Sequence, residues 1–416
     1  MNEEPVASTA ASHLEELTSC VHCGFCLEVC PTYQLTGDEN NSPRGRLRLW
    51  REEADGRLGL DPWTVQYTNE CVGCLACETS CPANVPYGDI LEVVRHQHVE
   101  TNRNRLSPSL RMAAFVAQHQ WLMNLTSLPI RFLRRWSPIG IPLGLPSPFW
   151  MAARSALALS GAPATLMSTH AYADRLMKRH RPTGPRVALF TGCLMESVFR
   201  EINFATVRVL IENNIQVIVP SSQTCCGAMH EHLGLSHPES LRDLNSRFFS
   251  GTHVDAVLTN SSGCGLALSK TPGIPPVVDV LEYLGRHSIR MRLNRPPESR
   301  VFLDLPCHLV HGQRLDLIPE SVMDATGYQW NLAPMSRECC GSGGTYHLQK
   351  PENSEQILSR KSEFLNQAPG DPLILATSNH VCMMQWQSAA LKNMVRRPFL
   401  VQHVIQLLDP GPAFGE

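Results

Sequence analysis

Eight cysteines in two runs offer the first chemistry. One run is Cys20-Val-His-Cys23-Gly-Phe-Cys26-Leu-Glu-Val-Cys30-Pro31, and 51 residues on comes Cys71-Val-Gly-Cys74-Leu-Ala-Cys77-Glu-Thr-Ser-Cys81-Pro82. Both follow C-x2-C-x2-C-x3-C-P. Three thiolates at that pitch wrap one face of an iron–sulfur cubane, and the fourth, one residue further out of step, points at a neighbouring cubane. The spacing therefore predicts two [4Fe–4S] clusters with exchanged ligands. Cys20, Cys23, Cys26 and Cys81 would hold the first, and Cys71, Cys74, Cys77 and Cys30 the second. Zinc ribbons close on four tetrahedral ligands from separated CxxC pairs and have no use for a third cysteine at the same pitch.

The remaining eight of the 16 cysteines form an internal repeat. Cys193, Cys225, Cys226 and Cys264 match Cys307, Cys339, Cys340 and Cys382 at offsets of 114, 114, 114 and 118 residues. Both copies carry Cys-Cys-Gly, ending in Gly227 and Gly341, and such agreement marks a duplicated domain. In each copy one cysteine ends a predicted strand, the pair follows the next strand and the last cysteine follows a third. Sites in open α/β sheets gather at the carboxyl ends of strands, so four thiols can converge there. The glycines let backbone approach closely and bring N–H groups toward sulfur. Vicinal cysteines rarely bridge each other. Three readings stand for each set: a further iron–sulfur cluster, a zinc ion or redox thiol pair, or buried structural residues descended from a metal site. His308, His311 and His347 lie near the second set and are expected as hydrogen-bonding neighbours, not ligands.

The elements that must position these residues divide the 416-residue chain into four segments. Residues 1–100 read as a helical two-cluster ferredoxin module, with helices expected from Pro43, a permitted first-turn proline, and from Asp89. Residues 101–181 form a basic, proline-interrupted connector. Residues 182–295 and 296–416 each read as an α/β cysteine-rich domain. Apolar strands are predicted at 186–191, 216–220, 256–260, 300–305 and 371–378, with helices at 198–213 and up to Met394. That alternation implies parallel sheets. The expected fold is thus α+β and multidomain: the ferredoxin module followed by two tandem α/β domains.

Composition is ordinary for a globular protein, with 43% hydrophobic and 18% charged residues. The N-terminal residues carry acids where a secretion signal needs basic residues, and no apolar run follows, so a cytoplasmic setting is expected. There, clustered cysteines serve metal or redox chemistry more often than structural disulfides. Prolines 138, 142, 146 and 148 interrupt the uncharged stretch 136–153, and the uncharged stretch 155–173 is mostly Ala, Ser, Thr and Gly, so no membrane span is expected. The net charge of −2 conceals an asymmetry, since residues 101–181 hold eleven Lys/Arg against one acid, Asp174. Such a segment suits an anionic partner or lipid surface, while nothing points to nucleic acid. Within it Met112, Phe115, Val116, Leu122 and Met123 recur at helical spacing before Arg131, Arg134, Arg135 and Trp136, and packing against a neighbouring domain is the expectation for that stripe. No Gly-x-Gly-x-x-Gly follows a strand, so no flavin or nicotinamide site is expected in the chain itself.

The run from Ser19 through Cys30-Pro-Thr-Tyr-Gln-Leu-Thr-Gly-Asp-Glu39 and on to Ser42-Pro-Arg-Gly-Arg46 resembles the iron–sulfur subunit of bacterial glycolate oxidase. So do Asp304-Leu-Pro-Cys-His-Leu-Val-His-Gly-Gln313 and Cys339-Cys-Gly-Ser-Gly-Gly-Thr-Tyr346. The resemblance covers nearly the whole chain and is weakest at 101–181. It implies an electron relay within a glycolate dehydrogenase complex, peripheral to the membrane, with no catalytic residue of its own. A separate FAD subunit would oxidise glycolate to glyoxylate, and this chain would pass electrons toward a quinone-level acceptor. Related chains serve lactate and glycerol-3-phosphate dehydrogenases. The cysteine-rich domains of heterodisulfide reductase end in CxxC, whereas here Ser261-Ser-Gly-Cys264 and Asn379-His-Val-Cys382 stand at those places. A five-thiolate cluster and disulfide reduction are correspondingly disfavoured. Arg44 and Arg46 could raise a cluster potential, with a solvated or carboxylate-paired arginine as the plainer expectation.

Overall fold

The computed structural model describes residues 14–58, 62–101, 104–127, 153, 155, 167–221, 223–235, 239–287, 299–315, 318–369 and 373–411. The expectations at Arg131, Arg134, Arg135 and Trp136 and at the 138–148 prolines lie outside the described residues.

The N-terminal region is helical. Ser42 accepts a hydrogen bond from Gly45 N at 3.0 Å, and Pro43 occupies the first turn, so the Pro43–Ala54 helix starts with its end capped. Gly45 is needed there, because a Cβ would meet the Glu39 carbonyl at 1.9 Å. Trp50 of this helix is buried and donates to Thr68 Oγ1 at 2.8 Å, which fixes the Pro62–Asn69 helix against it. Leu17, Leu47, Trp50, Val85, Ile90 and Leu91 form an apolar core into which Cys71 and Cys77 are packed. Truncating a buried tryptophan of this kind costs about 3–5 kcal/mol.

From residue 186 the chain builds two four-stranded sheets. In the first, β1 (Arg186–Phe190), β2 (Gln216–Ile218), β3 (Ala256–Thr259) and β4 (Val277–Asp279) lie in the order β2-β1-β3-β4. In the second, β5 (Arg300–Leu303), β6 (Gln329–Leu332), β7 (Leu373–Thr377) and β8 (Phe399–His403) lie in the order β6-β5-β7-β8. All neighbours in both sheets are parallel. The central strands β1, β3 and β7 are apolar and almost wholly buried, as strands covered on both faces must be. The sheets share one core, in which Val187, Leu189 and Leu258 of the first half join Val301, Leu303 and Leu375 of the second.

One expectation about the connector is corrected. The Pro108–Gln118 helix packs through Leu110 and Ala114 against Val99, Leu106 and Leu233, with Ala117 also buried. Met112 and Phe115 of the sequence-read stripe instead face outward, 60% and 50% exposed, beside exposed Trp121 and Leu125, while Val116, Leu122 and Met123 are half-buried. Alanines allow closer approach of the helix than the bulkier residues would. Among the described residues, no helix is long and apolar enough to cross a membrane.

Candidate metal centres

The two cysteine runs bring their thiols together in the exchanged sense. One cavity is lined by Cys20, Cys23, Cys26 and Cys81, closed by Pro43, Leu47 and Tyr87. A second is lined by Cys30, Cys71, Cys74 and Cys77. Cys30, which belongs to the first run, thus faces the second cavity, and Cys81 the first. The fourth cysteine is turned away by Pro31 or Pro82, and in the first run Pro31 opens the Pro31–Thr36 helix with Cys30 at its N-cap.

The donor set fits iron–sulfur cubanes. Gly73 N donates to Cys71 Sγ at 3.4 Å, Tyr87 Oη reaches the same sulfur at 3.6 Å, and Cys30 Sγ lies 3.3 Å from Thr32 Oγ1. Donors aimed at sulfur stabilise negative charge on a cluster's ligands. Burial pushes the Cys26 thiol up to about 11 and also raises Cys30 and Cys77, so a cationic group among them would favour their thiolate form. Among the described residues, no three His, Cys, Asp or Glu side chains close in on one point as a single metal ion requires.

Of the two arginines, Arg44 follows the plain expectation. It pairs with Glu39 at 2.6 Å on the surface. Arg46 does not. It lines the second cavity, is 1% exposed, and donates to Tyr67 O, Thr32 Oγ1 and Asn41 Oδ1 at 2.7, 3.1 and 3.3 Å, with no carboxylate among those partners.

In the duplicated domains every cysteine sits beyond the carboxyl end of a strand: Cys193 after β1, Cys225–Cys226 after β2 and Cys264 after β3, then Cys307, Cys339–Cys340 and Cys382 after β5, β6 and β7. Gly227 N donates to Cys225 Sγ at 3.4 Å and Gly341 N to Cys339 Sγ at 3.3 Å, each glycine holding a left-handed φ of 93° and 84°. The Cys-Cys-Gly turns therefore aim an N–H back at sulfur, as Gly73 does. Cys340 and Cys382 stand 3.5 Å apart, sulfur to sulfur. The places where a fifth cysteine would stand are Ser261 and Asn379, and they meet each other across the two halves.

The histidines near the second set are hydrogen-bonding neighbours. His308 Nε2 donates to Gly73 O at 3.0 Å, His311 bridges Thr79 Oγ1 and the Arg337 carbonyl, and His347 Nδ1 donates to Ser342 O. Two of them tie the second half to the second cysteine run of the N-terminal region. Gly343 completes that junction, since a Cβ there would meet the Val72 carbonyl at 2.6 Å.

Sequence reasoning passed over a buried pair beneath the second set. Lys361 Nζ lies 2.6 Å from Asp304 Oδ1, both side chains 1% exposed. Trp386 Nε1 donates to Asp304 Oδ2 at 2.7 Å. The same ammonium donates to the carbonyls of Ser336 and Glu338, the latter one peptide bond from Cys339. Burial lifts Asp304 to about 6, still below neutrality, and for Lys361 the carboxylate and the nearby sulfurs outweigh burial and hold its pKa above the usual lysine value. The 2.6 Å separation and the indole bond to the second carboxylate oxygen are the geometry of an ion pair. The signal in the sequence was Asp304 standing directly after an apolar strand.

Comparison with known proteins agrees with this arrangement. A model of the 4Fe-4S dicluster domain matches residues 16–85, and one of the cysteine-rich domain matches 187–269 and again 302–387. The chain is 29% identical to the probable glycolate oxidase iron–sulfur subunit of Bacillus subtilis, over 94% of this chain and 93% of that protein. It is equally 29% identical to the glycolate oxidase iron–sulfur subunit of Escherichia coli over the same shares. Lactate utilization protein A of Geobacillus thermodenitrificans is 24% identical over 54% of this chain and 98% of its own. The dicluster match and its cysteine motifs support two [4Fe–4S] clusters in the N-terminal region. With a dicluster domain followed by two cysteine-rich domains, the chain belongs to the family of the glycolate oxidase iron–sulfur subunits.

Proposed function

We propose that this chain is the one-electron relay of a glycolate-oxidising complex. It would take electrons from a flavin subunit that converts glycolate to glyoxylate and pass them toward a quinone-level acceptor. The observation that carries the reading is the pair of adjoining cavities whose cysteines are exchanged between the two runs, with Cys77 and Tyr87 lining both. Bound there, iron–sulfur cubanes supply reversible one-electron chemistry. The protein's residues hold them near each other, exclude water and place Arg46 and peptide N–H groups where negative charge accumulates. Cys20, Cys23, Cys26 and Cys81 are the proposed ligands of one cluster, and Cys30, Cys71, Cys74 and Cys77 of the other.

The outward face of Met112, Phe115, Trp121 and Leu125 precedes a strongly basic stretch of sequence, and we assign to this region the contact with a partner subunit or the inner face of the plasma membrane. Lactate as the flavin partner's substrate is the second reading, favoured by the likeness to lactate utilization protein A. The deciding experiment is dye reduction by the co-purified complex. Glycolate-driven reduction that is lost on Cys77→Ser, with lactate inert, supports the reading, and reduction indifferent to Cys77→Ser overturns it.

A further inference from the structure

The two cysteine-rich halves share a fold but not a floor. The Glu239–Ser250 and Pro351–Ser362 helices are each twelve residues long, and each buries one residue of its last turn beneath the cysteines, Phe249 in the first half and Lys361 in the second. The 114-residue offset pairs Phe190 with Asp304, and the 118-residue offset pairs Leu268 with Trp386. Beneath Cys225 and Cys226 lie Phe190, Phe249 and Leu268, all buried in one apolar cluster. Beneath Cys339 and Cys340, the same three places hold a buried ion pair and an indole that donates to it.

A stability account of that exchange is weak. A buried ion pair gains little or nothing over apolar residues of similar volume, because two ions must be desolvated. The apolar trio of the first half demonstrates that the fold accepts the cheaper solution. What the pair adds is a fixed dipole, whose positive end at Lys361 Nζ is held by Asp304 and contacts the Glu338 carbonyl at the Cys-Cys turn. Fixed charge in a dry site acts strongly on any group that gains or loses an electron beside it.

The halves differ also in what they touch. Cys339 packs with Val72, Tyr346 and Ile357 in a cluster that takes in Cys74 and Cys307. A thiol of the second cysteine set thus adjoins a thiol of the second N-terminal cavity. His308 and Gly343 press on the same loop at Gly73 and Val72. His232 of the first half also reaches Gly73, but the first cysteine set itself adjoins the connector, with Gln120 donating to Cys193 O and Thr224 to Gln118 O. Among the described residues, no N-terminal cysteine belongs to its cluster.

We propose that the two halves are functionally unequal: an anionic iron–sulfur group resides at Cys307, Cys339, Cys340 and Cys382, tuned by Lys361 as a positioning residue and exchanging electrons across the Cys74–Cys339 contact, while Cys193, Cys225, Cys226 and Cys264 form a structural thiol cluster. This rests on the relay reading above. One electron leaves one iron–sulfur group and enters the other, so one is oxidised as the other is reduced. No bond breaks and no proton moves. Lys361 offsets the added negative charge and so favours the reduced state of the second-half group.

The test uses the full chain purified without oxygen, read by iron content and by EPR during a redox titration. Wild type should hold more than about eight iron, the number two cubanes account for. Cys340→Ser should remove the excess, and Cys226→Ser should leave it. Lys361→Met should make the second-half signal harder to reduce by about tenfold in the oxidised-to-reduced ratio, about 59 mV for a one-electron couple. Lys361→Arg should restore most of that shift. Since Lys361→Met strands Asp304, the double variant Lys361→Met/Asp304→Leu keeps the test informative if the single one fails to fold. Equal iron loss from both halves, no iron beyond about eight, or a potential indifferent to Lys361 overturns the proposal. Failure of the relay reading would look different, as wild-type protein lacking the reduced signals of the N-terminal clusters themselves.

Discussion

Ser261 Oγ donates to Asn379 Oδ1 at 3.4 Å, and Asn379 Nδ2 donates to Ser262 Oγ at 3.1 Å. These are the two equivalent positions of the duplicated domains, so the halves face each other where a fifth thiol would stand in each. A polar link between domains occupies both places. Asn379 also caps the His380–Leu391 helix by accepting from Val381 N.

Asn379→Ala should therefore remove a cap and the cross-half bonds together, at a cost of about 1–3 kcal/mol. In urea the unfolding midpoint should fall with little change in slope, while the iron of the N-terminal region stays in place. An unchanged midpoint would mean that the two halves cohere without this contact.

Cys30→Ser tests the exchange of ligands. The residue belongs to the first run yet lines the second cavity. Its loss should disturb the cluster that Cys71→Ser disturbs and spare the one that Cys26→Ser disturbs. EPR and iron analysis of the three variants distinguish this from in-order ligation, in which Cys30 would group with Cys26.

Arg46 supplies a buried positive charge at the second cavity. Arg46→Met should lower the midpoint potential of that cluster and lower stability by about 3 kcal/mol, because Thr32, Asn41 and the Tyr67 carbonyl lose their donor. Arg46→Lys keeps the charge and should recover the potential more fully than the stability. A redox titration beside a denaturation curve separates the two effects.

Two buried groups away from the cysteines give opposite pH dependences. Burial raises Asp279 from 3.8 to about 7. Between those values the folded chain keeps a proton that the unfolded chain has released, so the stability this group contributes is lost as pH rises through about 7. Asp279→Asn retains an oxygen to cap Leu281 N and should gain about 2 kcal/mol over wild type at pH 8, converging with it near pH 4. Burial lowers His403 from 6.5 to about 4, where its neutral ring donates to Asn260 O and accepts from Ile405 N. Its contribution is present above 6.5 and is lost as pH falls toward 4. Thermal melts of wild type, Asp279→Asn and His403→Gln across this range read both slopes.

The sequence alone carried the proposed cofactor chemistry, since the two four-cysteine runs are local spacings and the duplication shows in offsets of 114 residues. It also carried the inner strands β1, β3, β5 and β7, whose apolar runs reflect burial on both faces. It did not reveal β4, β6 and β8, sheet-edge strands of three to five residues whose apolar runs are short and whose side chains are partly exposed, although the edge strand β2 was expected. Nor could it tell Arg44 from Arg46, two residues apart on one helix, of which one pairs with Glu39 at the rim of the first cavity and the other is buried against the second. Lys361 and Asp304 are 57 residues apart, and Cys74 and Cys339 are 265 apart. No spacing rule reaches across such distances. Parallel strands bring their carboxyl ends to one edge, and the docking of that edge on the cysteine loops decided which charges and which thiols would meet.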